Sequence, residues 1–216
     1  MEPNFWHSRW AQNQIGFHMP EANSLLTNNL RALNLTPGSR VFVPLCGKTL
    51  DIHWLLAQGF RVAGAELSEL AIGQLFDELG VTPLVARVGD HIHYSAQDID
   101  IFVGDIFALT PDILGAVDAV YDRAALVALP PPMRRRYAGH LTGLTAGAAQ
   151  LLVCFVYDQS LMDGPPFSVP SEEVAQLYQD SHAVSLIERQ FLDGGLKGKH
   201  PADEYVWHLA SLRPQP

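Results

Sequence analysis

Between residues 40 and 157 the chain alternates short apolar runs with segments of helical periodicity, and nothing else in it restricts the fold as much. RVFVPL (40–45), RVAGAEL (61–67), DIDIFVGDIF (98–107), AVDAVYD (116–122) and AQLLVCFVY (149–157) read as strands. Near-continuous apolar runs of this kind suit strands covered on both faces. Between them LDIHWLLAQ (50–58) reads as a helix closed by Gly59. Residues 68–79 read as a second, with Ser68 as N-cap and Gly80 as stop, and 131–145 as a third, with Pro131 and Pro132 near its start. A further helix begins at Ser171, and 20–34 is expected to be helical, with Pro20 in its first turn and Leu26, Leu30 and Leu33 on one face. VSLIERQFL (184–192) and EYVWHLASL (204–212) close the chain as two antiparallel neighbours, while 84–96 reads as an irregular or hairpin excursion. Strand–helix alternation implies parallel strands with right-handed crossovers. The expectation is a Rossmann-like, doubly wound α/β fold: a mostly parallel, seven-stranded sheet with an antiparallel C-terminal edge.

A length of 216 residues suits one domain. The formal net charge of −9 disfavours phosphate backbones and anionic lipid, so neither nucleic acid nor a membrane surface is an expected partner. The one dense basic run, Arg134 to Arg136, reads as a solvated helix face. Cys46 and Cys154 lack CxxC spacing, so no disulfide framework is implied and a reducing compartment is the default. MEPNFWHSRW does not read as a signal peptide, and no apolar run reaches the roughly 18 residues of a bilayer span. These features give the expectation of a cytoplasmic protein, with monomer as the default state.

In a doubly wound sheet, ligands sit beyond the carboxyl ends of the strands, where the strand order reverses. The first such end reads PLCGKT (44–49), whose last three residues suggest a nucleotide loop. A P-loop needs a glycine five positions before Gly47; Phe42 stands there, and Pro44 has no N–H to offer a phosphate. The dinucleotide fingerprint is absent too. Glu66, however, closes the second strand, where an acid can accept from both hydroxyls of an adenosine ribose. A ribose acid without a pyrophosphate cradle suits an adenosine ligand that carries no phosphates, such as S-adenosylmethionine. The next strand ends carry Gly104-Asp105-Ile106 and Asp122-Arg123. Elsewhere, His91 and His93 lie on one side of a strand without the partners of a metal site, and no metal is expected. Cys46 and Cys154 read as small buried side chains, and Trp6 and Trp10 share a face if their segment is helical.

The stretches FWHSRWAQNQIGFH (5–18), VFVPLCGKTLDIHWLLAQG (41–59), VAGAELSELAI (62–72), YDRAALVALPP (121–131) and GPPFSVP (164–170) together resemble the bacterial thiopurine S-methyltransferases, essentially from end to end. PLCGK replaces the Gly-rich acidic signature of the wider methyltransferase superfamily, a departure that this family shares. The resemblance implies S-adenosylmethionine as cofactor, touched by Trp10 at its methionine end, by the Leu45 backbone, by Glu66 at the ribose and by Arg123 near the acceptor sulfur. Asp105 and Ile106 would flank the adenine. It implies an N-terminal helical lid (1–35) over an α/β core (36–216), and S-methylation of small aromatic or heterocyclic thiols, with selenium and tellurium compounds as chemically sensible further acceptors. Arg123 would stabilise an anionic acceptor and Asp122 would orient Arg123 or a backbone amide. Read from the residues, Phe17, His18 and Met19 either line the substrate mouth or pack as a lid, and Phe167 stacks on an aromatic acceptor; the resemblance adds a second basic group, Lys197 or Lys199. The rival readings are a non-catalytic sensor of the cofactor or its product, and a nucleotide kinase using the GKT sequence.

Overall fold

A computed structural model describes residues 3–213. Its strands are β1 (Arg40–Pro44), β2 (Arg61–Glu66), β3 (Leu84–Val88), β4 (His91–Ala96), β5 (Ile99–Val103), β6 (Ala119–Arg123), β7 (Ala149–Val156), β8 (His182–Phe191) and β9 (Asp203–Ser211). They form one nine-stranded sheet in the order β3-β4-β5-β2-β1-β6-β7-β9-β8. β5, β2, β1, β6 and β7 run parallel. β9 enters antiparallel between β7 and β8, giving the expected C-terminal edge.

Nine strands rather than seven is a correction, and it comes from 84–96. That stretch folds as a hairpin around Gly89, whose φ is +57°, and β4 pairs antiparallel with β5 along its whole length. The hairpin extends the opposite edge of the sheet. The alternation was hard to read because β3 is an edge strand with Leu84 and Val85 exposed, so it buries neither face well.

The doubly covered centre follows from the apolar runs. Val41 and Val43 of β1 enter one core layer and Phe42 enters the other, as a period of two requires. The first layer holds Val41, Val62, Ile101 and Tyr121 against α2 (Ser24–Asn29), α3 (Leu50–Ala57) and α4 (Glu69–Leu79). The second holds Phe42, Ala65, Phe102 and Leu152 against α5 (Pro111–Leu114), α6 (Pro131–Leu144) and α7 (Ser171–Tyr178). Local signals set the helix ends: the Ser68 hydroxyl accepts from Ala71 N–H, and Gly80 ends α4 in the left-handed region. At the N-terminus, α1 (Pro3–Ala11) precedes α2, which starts later than the periodicity predicts. Pro20 lies outside it, because Asn23 is the cap and its side chain accepts from Leu25 N–H. A 3₁₀ turn over Leu30–Leu33 completes that segment.

The sheet order reverses at β1, from which the chain builds first toward β2 and β5 and then toward β6. β1 pairs with β2 as far as Pro44 with Ala65, but with β6 only through Val41 and Phe42. Pro44 has no N–H to carry the ladder further. The carboxyl ends of β1 and β6 therefore stop pairing at the switch point.

At the end of β5, a methyl group on Gly104 would lie 2.6 Å from Cδ2 of buried His91. Gly104→Ala is expected to destabilise the protein by about 1–3 kcal/mol by forcing the hairpin away from β5, read as a lower urea midpoint.

Candidate active site

The candidate site is built from four strand ends, those of β1, β2, β5 and β6. Leaving β1, Leu45 and Gly47 both adopt left-handed backbone, with φ of +48° and +52°. A left-handed leucine is a strained feature of the kind that collects at ligand sites. Its cause here is the tight turn that delivers Gly47 to Glu66. The Glu66 Oε2 accepts from Gly47 N–H at 2.8 Å and Oε1 accepts from Ser68 N–H at 2.8 Å. This buried carboxylate thus joins the turn after β1 to the cap of α4. Burial pushes its pKa up, and the N–H groups of Ser68, Gly47 and Leu67 pull it back. From the third strand end, Gly104 N–H reaches Glu66 O at 2.9 Å, placing Gly104 and Asp105 beside the acid. The exposed Asp105 accepts from Phe107 N–H, while Ile106 is buried in the core, its carbonyl 2.7 Å from His140 Nε2.

This chemistry decides against a triphosphate. The Cys46 N–H is engaged by Ala65 O and the Gly47 N–H by a carboxylate, which repels phosphate, and Lys48 pairs with Glu78 at 2.6 Å. It fits a ribose. Each Glu66 oxygen accepts from one backbone N–H and keeps capacity for a hydroxyl donor.

The N-terminal segment packs against the turn. Trp10 is 5% exposed and packs against the turn, so that a methyl group on Gly47 would sit 2.9 Å from its ring. Glycine is required there by both φ and space. Phe17 meets Trp10 edge-on at 5.6 Å and Trp6 at 5.9 Å, so the two Trp residues share one aromatic cluster with it. His18 follows, with its pKa lowered by burial and then by Lys48, within electrostatic range of Arg123 and Asp51.

Asp122 and Arg123 separate. Asp122 is fully buried; Oδ1 accepts from Leu126 N–H and Oδ2 from the Tyr137 hydroxyl of α6 at 2.7 Å. Burial raises its pKa to about 6. Of the two roles expected for it, the structure shows the hold on a backbone amide. Arg123 faces the other layer, with Nη1 3.9 Å from Asp51 Oδ2. Asp51, which sequence reasoning missed, lies in the first turn of α3 and also accepts from Tyr121 OH and Asn23 N–H. An acid at the start of a helix looks like dipole compensation, which hid it.

Phe167 and Lys197 come together in a second group on the same sheet edge. Phe167 N–H donates to Val127 O at 2.7 Å, and Lys197 Nζ donates to Pro165 O at 3.1 Å, tying the β8–β9 loop to the Pro-rich loop. Arg134 underlies them. It is 1% exposed rather than solvated, pairs with Glu173 at 2.6 Å, donates to Leu129 O and Ser168 O, and lies over the Phe167 ring. The two histidines have other occupations: His91 Nε2 meets Asp105 O, and His93 meets Asp100 while stacking on Phe102. Cys46 and Cys154 are free and buried, and burial pushes both thiols well up, away from the nucleophilic thiolate.

The same fold recurs in solved S-adenosylmethionine-dependent methyltransferases. One from Anabaena variabilis matches with a TM-score of 0.65 at 16% identity, over 97% of this chain and 94% of that one. The 1,6-didemethyltoxoflavin N1-methyltransferase of Burkholderia thailandensis, solved with its substrate and S-adenosylhomocysteine, matches with a TM-score of 0.64 at 15% identity, over 97% and 87%. The fold is that of S-adenosylmethionine-dependent methyltransferases. The sequence model of the thiopurine S-methyltransferase family matches residues 1–207. Thiopurine S-methyltransferases of Xanthobacter autotrophicus and Gluconobacter oxydans are 60% and 49% identical, each over 97% of this chain and over 99% and 96% of their own lengths. The chain belongs to the thiopurine S-methyltransferase family.

The raised pKa of Asp122 has a stability consequence. The folded state holds this proton up to about pH 6, whereas an unfolded aspartate loses it near pH 4. The group's contribution is therefore greatest below about pH 4 and is lost as pH rises to about 6. Asp122→Asn should remove that slope, on the order of 3 kcal/mol for a shift of about two units, measured as denaturant stability between pH 4 and 7.

Proposed function

We propose that this protein methylates the sulfur of small aromatic or heterocyclic thiols, with thiopurines as the representative acceptors. The observation that carries the proposal is the pairing, across the switch point, of a ribose-type carboxylate at the end of β2 with a guanidinium at the end of β6. When bound, S-adenosylmethionine supplies a methyl group already activated by its sulfonium. The chain's task is to align an acceptor with it and exclude water. Glu66 holds the ribose hydroxyls, Leu45 offers backbone at the turn, Asp105 and Ile106 flank the adenine, and Trp10 covers the methionine end. Arg123 faces the acceptor and stabilises its thiolate; it stays protonated and takes no proton. Asp122 acts indirectly, by fixing the backbone that follows Arg123. Phe17 and His18 form one wall of the mouth, and Phe167 with Lys197 the other.

The same geometry suits selenium and tellurium anions, which are softer nucleophiles than thiolates, and we extend the acceptor class to them. We further propose that the chain is a single domain, with 1–35 as its lid and 36–216 as its core, acting as a cytoplasmic monomer. Buried free thiols support the reducing compartment. No helix among the described residues is long and apolar enough to cross a membrane.

Titration calorimetry with S-adenosylhomocysteine, followed by methyl transfer to 6-mercaptopurine, tests the reading. Binding and turnover are expected; binding with no turnover on any thiol or selenol would sink catalysis in favour of a sensor. Glu66→Gln turns an amide group toward Gly47 or Ser68 N–H, and should weaken S-adenosylhomocysteine at least about tenfold. Arg123→Ala should lower kcat/KM for 6-mercaptopurine by about 10–100-fold with an unchanged circular dichroism spectrum.

A further inference from the structure

Three parts of the site meet at Asp51. It is 1% exposed in the first turn of α3. Oδ1 accepts from the backbone N–H of Asn23 at 2.7 Å, and Asn23 is the cap of α2, within the N-terminal segment 1–35 assigned above as the lid. Oδ2 accepts from the Tyr121 hydroxyl at 3.0 Å and lies 3.9 Å from Arg123 Nη1. Tyr121 is buried, and burial holds its phenol well above the ordinary range, so it donates and stays neutral. Arg123 is thus the cation that faces Asp51, and a carboxylate buried without one is costly. At 3.9 Å the pair is electrostatic rather than a closed bidentate fork. The remaining guanidinium N–H groups stay available to a second anion.

We propose that Asp51 is a positioning residue that couples the seating of the lid to the direction of Arg123. A single carboxylate holds the lid by one oxygen and the guanidinium by the other, so the arginine is aimed at the acceptor when Asn23 is docked. Tyr121 makes the arrangement rigid: it lies two residues before Arg123 on the same face of β6 and fixes Oδ2 from below. A lid that covers the cofactor with Trp10 and reports its position to the acceptor group through Asp51 would discourage transfer to water in the open state. The proposal rests on the methyltransferase reading of this site.

Asp51→Asn tests it, because an asparagine oxygen can keep the Asn23 N–H while the charge facing Arg123 is lost. With radiolabelled S-adenosylmethionine and 6-mercaptopurine, kcat/KM should fall about tenfold or more, with kcat and KM read separately. The Kd of S-adenosylhomocysteine should stay within about threefold. On an Arg123→Ala background the same substitution should change kcat/KM by less than about twofold, since Asp51 would have nothing left to aim. Tyr121→Phe keeps the charge and the lid contact, and should give a smaller fall with the same dependence on Arg123; it carries the test if Asp51→Asn does not fold. A penalty of equal size on both backgrounds, or none on the wild-type background, overturns the proposal. Failure of the methyltransferase reading shows separately, as wild-type protein that neither binds S-adenosylhomocysteine nor methylates a thiol.

Discussion

A buried carboxylate with two backbone amides in its grip is the constraint around which the ligand edge is arranged. Glu66 bridges Gly47 and Ser68, and so fixes the turn after β1 relative to the cap of α4. Such a group is costly to bury unless its lone pairs are met, and the chain meets them with backbone, which cannot swing away. Leu45 is held left-handed and residue 47 must be glycine for this to work, since Trp10 occupies the space of a side chain there. The negative charge, the absent N–H of Pro44 and the occupied amides of Cys46 and Gly47 together close this edge to a phosphate. The GKT sequence therefore belongs to a turn with a different purpose. Its lysine leaves the site to pair with Glu78, and its threonine caps α3, the side chain accepting from Asp51 N–H.

The central architecture was legible because a strand buried on both faces is mainly apolar, and β1, β2, β5, β6 and β7 mainly are, with their charged residues largely at the ends. Helix ends at Ser68 and Gly80 were legible because capping is local. Tertiary context decided the rest. β3 and β4 carry too little buried surface to announce themselves, yet β5 needs an edge partner and the Gly89 turn supplies one. Pro20 looked like a helix start, but Asn23 has a side chain able to satisfy a free N–H and takes the cap. Arg134 looked solvated in a run of three arginines. On a helix, adjacent residues point about 100° apart, so one of the three can be buried while Arg135 and Arg136 stay exposed.

Site residues divide in the same way. Glu66, Gly104 and Arg123 lie at strand ends and follow from the topology alone. Asp51 does not, because its meaning depends on Asn23 and Tyr121, 28 and 70 residues away along the chain. Phe167 and Lys197 are brought near each other by two loops of the carboxyl edge. β9 runs antiparallel beside β7, with Val156 opposite Asp203, so the loop entering β9 emerges next to the loop leaving β7. The Pro-rich loop is held by Arg134, whose donors reach the Leu129 carbonyl and the Ser168 carbonyl within the loop.

The pair Asp122-Arg123 shows how one strand end serves two layers. Successive residues in a strand project to opposite faces, so an adjacent acid and base at such a position do not neutralise each other. Tyr121 and Arg123 share a face and both reach Asp51 on α3. Asp122 points the other way and binds Tyr137 on α6 and the amide of Leu126. Ala124 is left-handed immediately afterward, with φ of +62°, and turns the chain into the 3₁₀ segment whose first amide Asp122 holds. The aspartate therefore sets the exit path of β6, and the exit path sets where the arginine stands. Arg123 is then left without a fixed salt bridge to its neighbour in sequence. A guanidinium already closed on an adjacent carboxylate would have little field left for a second anion. Separation across the sheet keeps that field available, and the 3.9 Å spacing from Asp51 restrains it without closing it.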